Sequence, residues 1–290
     1  MSSAGRPAAR IAVIVPCYND GTTVRETVES VKTIEPVELV IVDDASTDPL
    51  TRQVLAELES DGERVVRHES NRGLVEARMT ALAATSAPFV VPLDSDDCLV
   101  AGALVAMADL LDAHPEAVAC CGDYEEFGDS PVLVRTVPRE LDPFRVAYTN
   151  EYPITSMYRR ELLEAVNGWR FNGPEELRSY EDWDLWMKIA GRGAQIVYLP
   201  DQLVYRRRLH AGQQVRLLDL GKGQHRQIYA QLRAAHPHLF GRLREHRRES
   251  TLSAPRKLLY PLIYGGRTRF RFERRVKRLL DRLGVWTLRR

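Results

Sequence analysis

Ile11-Ala12-Val13-Ile14-Val15 is an unbroken apolar run. Such a run suits a parallel strand covered on both faces. Pro16 is expected to end it. The turn Tyr18-Asn19-Asp20-Gly21 then leads into helical spacing over 22–33, with Val24, Val28 and Val31 on one face. The pattern repeats. Strands are predicted at 39–42, 64–67 and 88–93, and helices at 49–58, from Leu74 to Ala84 and at 101–113. Strand and helix alternate through residue 113, which calls for an α/β sheet with right-handed crossovers.

After residue 113 the alternation stops. Residues 117–121 and 132–137 read as strands with no helix between them, and 139–158 as irregular. A short helix over 161–166 is stopped by Asn167-Gly168, a longer one is expected over 179–190, and strands at 195–199 and 203–206. Beyond Gly212 the pattern is helical and Arg-rich. The expected organisation is a domain over 1–211, with halves 10–113 and 114–211, followed by a basic helical extension over 212–290.

Composition sharpens this picture only in places. Apolar residues are 44% and charged residues 28% of 290, as in a globular chain with a sizeable core. The net charge of +1 hides an asymmetry. Residues 242–290 carry 16 Lys/Arg against 4 Asp/Glu, leaving 25 basic and 36 acidic side chains in the first 241 residues. The apolar spacing over 274–283 within the basic tail suits an amphipathic helix. Such a helix can lie on an anionic membrane or pack against an acidic protein surface. No aromatic-basic recognition motif accompanies the charge, which argues against nucleic acid. Cys17, Cys98, Cys120 and Cys121 have no metal-site spacing. Reduced thiols, no apolar stretch of membrane-spanning length and no signal-peptide core lead to a cytoplasmic expectation.

The candidate chemistry lies at predicted strand ends. Leu93-Asp94-Ser95-Asp96-Asp97 places three carboxylates within four residues. In a parallel α/β sheet the carboxyl edge of the strands is where ligands bind, and hard divalent cations take Asp oxygens. A cation there could bridge to a phosphate. Asp43-Asp44 ends another strand and Tyr18-Asn19 a third, so a base could stack on Tyr18 and a carboxylate at Asp44 could accept from a base or ribose. Asp43-Asp44-Ala45-Ser46 also reads as an Asx-type turn. A phosphatase-type DxDx[TV] reading fails at Asp97-Cys98, and no GxGxxG follows the first strand. Asp182, before Trp183 and Trp186, suits either a helix cap or a general base. His210 follows the arginine run Arg206-Arg207-Arg208 and could reach a metal or phosphate.

Together these pieces resemble the family 2 glycosyltransferases, whose nucleotide-sugar-binding fold is GT-A. The matching stretches are Val15-Pro16-Cys17-Tyr18-Asn19, Val42-Asp43-Asp44-Ala45-Ser46-Thr47-Asp48, Asn71-Arg72-Gly73-Leu74, the aspartate cluster, Glu181-Asp182-Trp183-Asp184-Leu185-Trp186, and Tyr205-Arg206 through His210. The resemblance implies a nucleotide-binding set of Pro16, Tyr18, Asp43, Asp44, Arg78, Asp94 and Ser95. It implies a Mn²⁺ or Mg²⁺ cofactor on Asp96, Asp97 and His210, with Asp182 as catalytic base. Asp94 and Asp96 correspond to the family's DxD motif.

The implied reaction is inverting transfer from a nucleoside diphosphate sugar to an acceptor hydroxyl. UDP is the leading nucleotide, with dTDP and GDP as alternatives. The sequence does not name the acceptor hydroxyl; a lipid-linked acceptor and a polysaccharide are the candidates. Gln213 and Arg216 have the spacing of the polymerising members' Q-x-x-R-W motif, but Leu217 stands in place of Trp, which favours single transfers. The rivals are a sugar nucleotidyltransferase, for which the Gly-rich loop is missing, and a non-catalytic sugar-nucleotide binder.

Overall fold

The computed structural model describes residues 9–32, 35–129, 131–171, 180–210 and 222–264. The strands are β1 Ile11–Cys17, β2 Val37–Asp43, β3 Arg64–Arg67, β4 Phe89–Pro92, β5 Cys98–Leu99, β6 Ala117–Gly128, β7 Leu133–Arg135, β8 Met157–Arg159 and β9 Gln195–Leu209. The helices are α1 Val24–Ser30, α2 Pro49–Ser60, α3 Leu74–Ala83, α4 Ala103–Ala113, α5 Pro143–Val146, α6 Arg160–Ala165, α7 Glu181–Gly191, α8 Lys222–Ala235, α9 Pro237–Gly241, α10 Leu243–Glu249 and α11 Ala254–Tyr264.

All nine strands among the described residues join one sheet, in the order β3-β2-β1-β4-β8-β6-β9-β5, with β7 paired to β6. The first four strands are mutually parallel, as the early βα alternation predicts. All seven residues of β1 are buried, the signature of a central strand. Pro16 does not end β1. It pairs in register with Val42, and the strand runs on to Cys17, whose carbonyl accepts the Asp44 N–H. Because Cys17 lies opposite Asp43 and Ile14 opposite Pro92, the loops after β1, β2 and β4 leave the sheet at one edge.

The second half of the sheet is mixed. β8 is antiparallel to both β4 and β6, β9 is parallel to β6, and β5 is antiparallel to β9. The two strands expected at 195–199 and 203–206 are one strand, β9. It passes through Pro200 and Asp201, where Asp201 has φ 57°, and the register against β6 shifts at Gly122 to Tyr124. A bulge of this kind bends a strand without ending it.

Two compact units emerge from the contacts. The first comprises 1–139, 154–170 and 195–209 and holds the whole sheet; the second comprises 140–153, 171–194 and 210–290. In the second, α7 buries Trp183, Trp186, Met187 and Ala190, the face its spacing predicts. Ser179, the expected start of this helix, lies outside the described residues, as do Gln213, Arg216, Leu217 and the amphipathic stretch 274–283. No helix among the described residues is long and apolar enough to cross a membrane.

Candidate functional site

Tyr18 directly follows β1 and is 43% exposed, so its ring is open to a stacking partner. The next residue, Asn19, sits at φ 62° and ties this loop to the one after β2. Its Oδ1 accepts from Thr47 N and Asp48 N at 2.8 and 2.9 Å, and its N–H donates to Ser46 Oγ at 3.1 Å. Asp43 Oδ1 accepts the Ser46 N–H, three residues on, at 2.9 Å and so closes the loop. Cys17 beneath Tyr18 is no nucleophile, since burial and then Asp20 push its thiol up to about 12.

Asp44 is 3% exposed and ties the β2 end to the start of α3. Oδ1 accepts from Arg72 N at 2.8 Å and lies 2.6 Å from His68 Nδ1, while Oδ2 accepts from Gly73 N at 2.7 Å. His68 Nε2 lies 2.9 Å from Thr80 Oγ1. Asp44 therefore organises the Arg72-Gly73 turn. His68 escapes sequence reading because its partners stand 24 and 12 residues away. Arg78, one turn into α3, is 1% exposed and donates from Nη2 to Asp94 Oδ1 at 2.6 Å. The turn thus feeds a guanidinium to the aspartate cluster.

In that cluster each aspartate has a different setting. Asp94 is partly exposed and held by Arg78. Ser95 is buried, and its Oγ donates to Asp20 Oδ2 at 2.5 Å. Asp96 is half-buried, and its carbonyl accepts Arg208 Nε at 3.0 Å. Asp97 is 4% exposed and accepts the Arg208 N–H on Oδ1 at 2.8 Å. Burial, then the charges of Asp96 and Asp94, raise its pKa well above the usual carboxylate range. The Arg208 guanidinium stands over Phe127 at 4.5 Å and pairs with Glu26, so the end of β9 braces the cluster. Arg206 and Arg207 face Glu125 and Glu126 at 2.9 and 3.8 Å.

Crowded carboxylates are chemically suited to a hard cation, and oxygen is the donor such ions take. Among the described residues, no three His, Cys, Asp or Glu side chains form a ready metal cage. Within the cluster, Asp94, Asp96 and Asp97 are the side chains that could offer oxygen to such an ion. His210 is half-buried and immediately follows β9.

Asp182 belongs to the second unit, at the start of α7. Its Oδ1 accepts the Trp183 N–H at 2.6 Å, and its Oδ2 accepts Asn150 Nδ2 at 2.9 Å. Trp183 Nε1 donates to the Val146 carbonyl at 2.7 Å and so pins the helix start. The carboxylate is half-buried and oriented from two sides. Asn150 is a site residue that sequence reading missed, because it lies in a segment without periodicity.

The family model for glycosyl transferase family 2 matches residues 12–166. A succinoglycan biosynthesis protein of Rhizobium meliloti, ExoU, is 30% identical over 202 residues, which span 64% of this chain and 58% of that protein. An uncharacterized glycosyltransferase of Haemophilus influenzae is 29% identical over 192 residues, spanning 63% of this chain and 69% of that one. Among solved structures, S. aureus TarS 1–349 in complex with UDP-GlcNAc superposes with a TM-score of 0.61 at 24% identity. That match covers 86% of this chain and 69% of the 1–349 chain, and shows the shared GT-A fold. With the family model covering the strand-end loops and most of the sheet, the chain belongs to glycosyl transferase family 2.

Proposed function

We propose that this chain transfers a sugar from a nucleoside diphosphate sugar, a UDP-sugar first among them, to an acceptor hydroxyl with inversion. The observation that carries the reading is the convergence of three strand-end loops at one sheet edge. They bring an exposed aromatic ring, the Asp44-anchored turn and the Arg78–Asp94 pair to the rim where α/β sheets bind nucleotides. Tyr18 stacks on the base, and Asp43 and Asp44 shape the pocket for base and ribose. Arg78 and Asp94 face ribose, sugar or diphosphate. Asp96 or Asp97, with His210 as a further ligand, would hold a divalent cation, whose chemistry there would be to neutralise charge on the leaving diphosphate.

The chain's own residues do the rest. Asp182 takes the proton from the acceptor hydroxyl. The oxygen attacks the anomeric carbon and the bond to the diphosphate breaks, so no covalent enzyme intermediate is needed. Asn150 and the Trp183 N–H keep the carboxylate aimed. The acceptor is a glycan hydroxyl, lipid-linked or polysaccharide, served one sugar at a time. Two findings favour a glycan: the kinship with a succinoglycan biosynthesis protein and the fold shared with a UDP-GlcNAc complex. The basic C-terminal stretch provides peripheral contact with an anionic membrane.

A thermal-shift panel of UDP, dTDP and GDP with and without Mn²⁺ tests the donor site. UDP at about a hundred times its Kd adds about 2.7 kcal/mol of stability by mass action. The shift is expected to be largest for UDP with Mn²⁺. Equal and negligible shifts for every nucleotide would remove the donor reading.

A further inference from the structure

The Asp182 carboxylate is not held by its own helix alone. Asn150 Oδ1 accepts the Tyr152 N–H at 3.2 Å, which fixes that amide so that its NH₂ faces Asp182. The adjacent Glu151 is clasped by Arg145 through Nε and Nη2 at 2.7 and 2.8 Å. A third donor comes from far along the chain. Tyr260, on α11, gives its hydroxyl proton to Glu151 Oε2 at 2.8 Å. The Tyr260 ring is buried, 6.2 Å from Phe144 and 6.3 Å from Tyr148. Ser250, just after α10, donates to Asp142 Oδ2 at 2.6 Å, and Asp142 Oδ1 caps α5. The segment 140–153 is therefore tied on one side to α7 through Asn150 and Val146. On the other it is tied to the C-terminal helices through Glu151 and Asp142. All of these groups lie in the second unit.

The geometry points to Asn150 and Tyr260 as positioning residues: the C-terminal extension braces the segment that orients the base. This rests on the reading of Asp182 as base. Asn150 sets the direction of one carboxylate oxygen. Tyr260 and Arg145 hold Glu151, the next residue along the chain, and so limit how far Asn150 can swing. Loss of alignment at a reacting group is costly even when every contact to the ligand survives, because effective concentration falls steeply with misorientation. A brace that served only the fold would leave turnover untouched in a folded variant.

The test uses the full chain with Tyr260→Phe and Asn150→Ser, alone and together. Each is also made in the Asp182→Asn background. The assay is UDP release with water as acceptor and Mn²⁺ present, using whichever of UDP-glucose, UDP-galactose and UDP-GlcNAc is hydrolysed fastest. Each single variant is expected to lower kcat by about five- to twentyfold. The donor KM and the calorimetric Kd for UDP should stay within about twofold. The double variant should lose less than the product of the two, because both act through one carboxylate. In the Asp182→Asn background neither substitution should lower the residual rate further. Unchanged kcat in folded single variants would overturn the brace, and so would a loss undiminished in the Asp182→Asn background. If Tyr260→Phe fails to fold, Asn150→Ser, which removes no core side chain, decides the matter by the same readouts. Near-normal turnover by Asp182→Asn itself would instead sink the base reading on which the brace depends.

Discussion

At Asp97, burial and charge pull against one another. The side chain is 4% exposed, keeps its bond to the Arg208 N–H, and has its pKa raised by burial and by Asp96 and Asp94. A carboxyl group with a raised folded pKa favours the fold while protonated, and that contribution is lost as pH rises through the raised value. The fold therefore disfavours the ionised form of Asp97. Asp97→Asn keeps the acceptor for Arg208 and removes one charge. It is expected to raise the metal-free stability by about 1 kcal/mol, measured by urea unfolding at pH 7.5, and to abolish the Mn²⁺-induced shift. Destabilisation with the Mn²⁺ response intact would refute the assignment. Asp182 makes the opposite prediction. Asp182→Asn should lower kcat by about 10²- to 10⁴-fold with UDP affinity retained, as expected of a general base. Ala45 is a smaller case. It lies at φ 61°, where a side chain costs about 1–2 kcal/mol. Ala45→Gly should raise stability by about 0.5–1 kcal/mol after the entropic cost of glycine, read as a higher urea midpoint with unchanged slope.

The turn that opens α3 is the element on which the donor site hangs. Gly73 has φ 86° and ψ 162°, a conformation essentially reserved for glycine, and its N–H is held by Asp44. A Cβ there would meet nothing within 4 Å, so the cost of Gly73→Ala is conformational, about 1–3 kcal/mol. The same change should weaken UDP binding, since it moves the origin of the helix that carries Arg78. Calorimetry with UDP checks this; unchanged affinity in the folded variant counts against a role for the turn in the donor site. The early elements were legible because buried parallel strands are unbroken apolar runs and the helices between them are periodic. β5 and β8, of 2 and 3 residues, carry too few positions to show a period. The outer half of β6 alternates poorly, because Asp123, Glu125 and Glu126 are used in hydrogen bonds and ion pairs across the sheet. Strand-end aspartates stand out by clustering. Their supports, His68 for Asp44, Arg208 for Asp97 and Asn150 for Asp182, do not, since each is a single polar residue made relevant by a long-range contact.

For the whole molecule, the distribution of charge says more than its sum. The first 241 residues contain 36 acidic and 25 basic side chains, whereas 242–290 contain 4 and 16. Such a tail adds about 1 kcal/mol of attraction for each Lys or Arg that reaches an anionic lipid surface. That attraction is screened as the Debye length shrinks from about 8 Å at 0.15 M salt to about 3 Å at 1 M. The described start of this region fits a surface role in part: Arg247, Arg248 and Leu258 are exposed, whereas His246 and Tyr260 are buried in their own unit. A tail neutralised by the acidic body would instead show no preference for anionic lipid. The full chain is therefore expected to float with phosphatidylserine-containing vesicles at 0.1 M salt, to be released at 1 M, and to ignore purely zwitterionic vesicles. Replacing Arg274, Arg275, Lys277 and Arg278 by Gln should abolish flotation while UDP-sugar hydrolysis continues. Failure of the unmodified chain to float at low salt would end the membrane proposal and leave the basic tail to protein contacts.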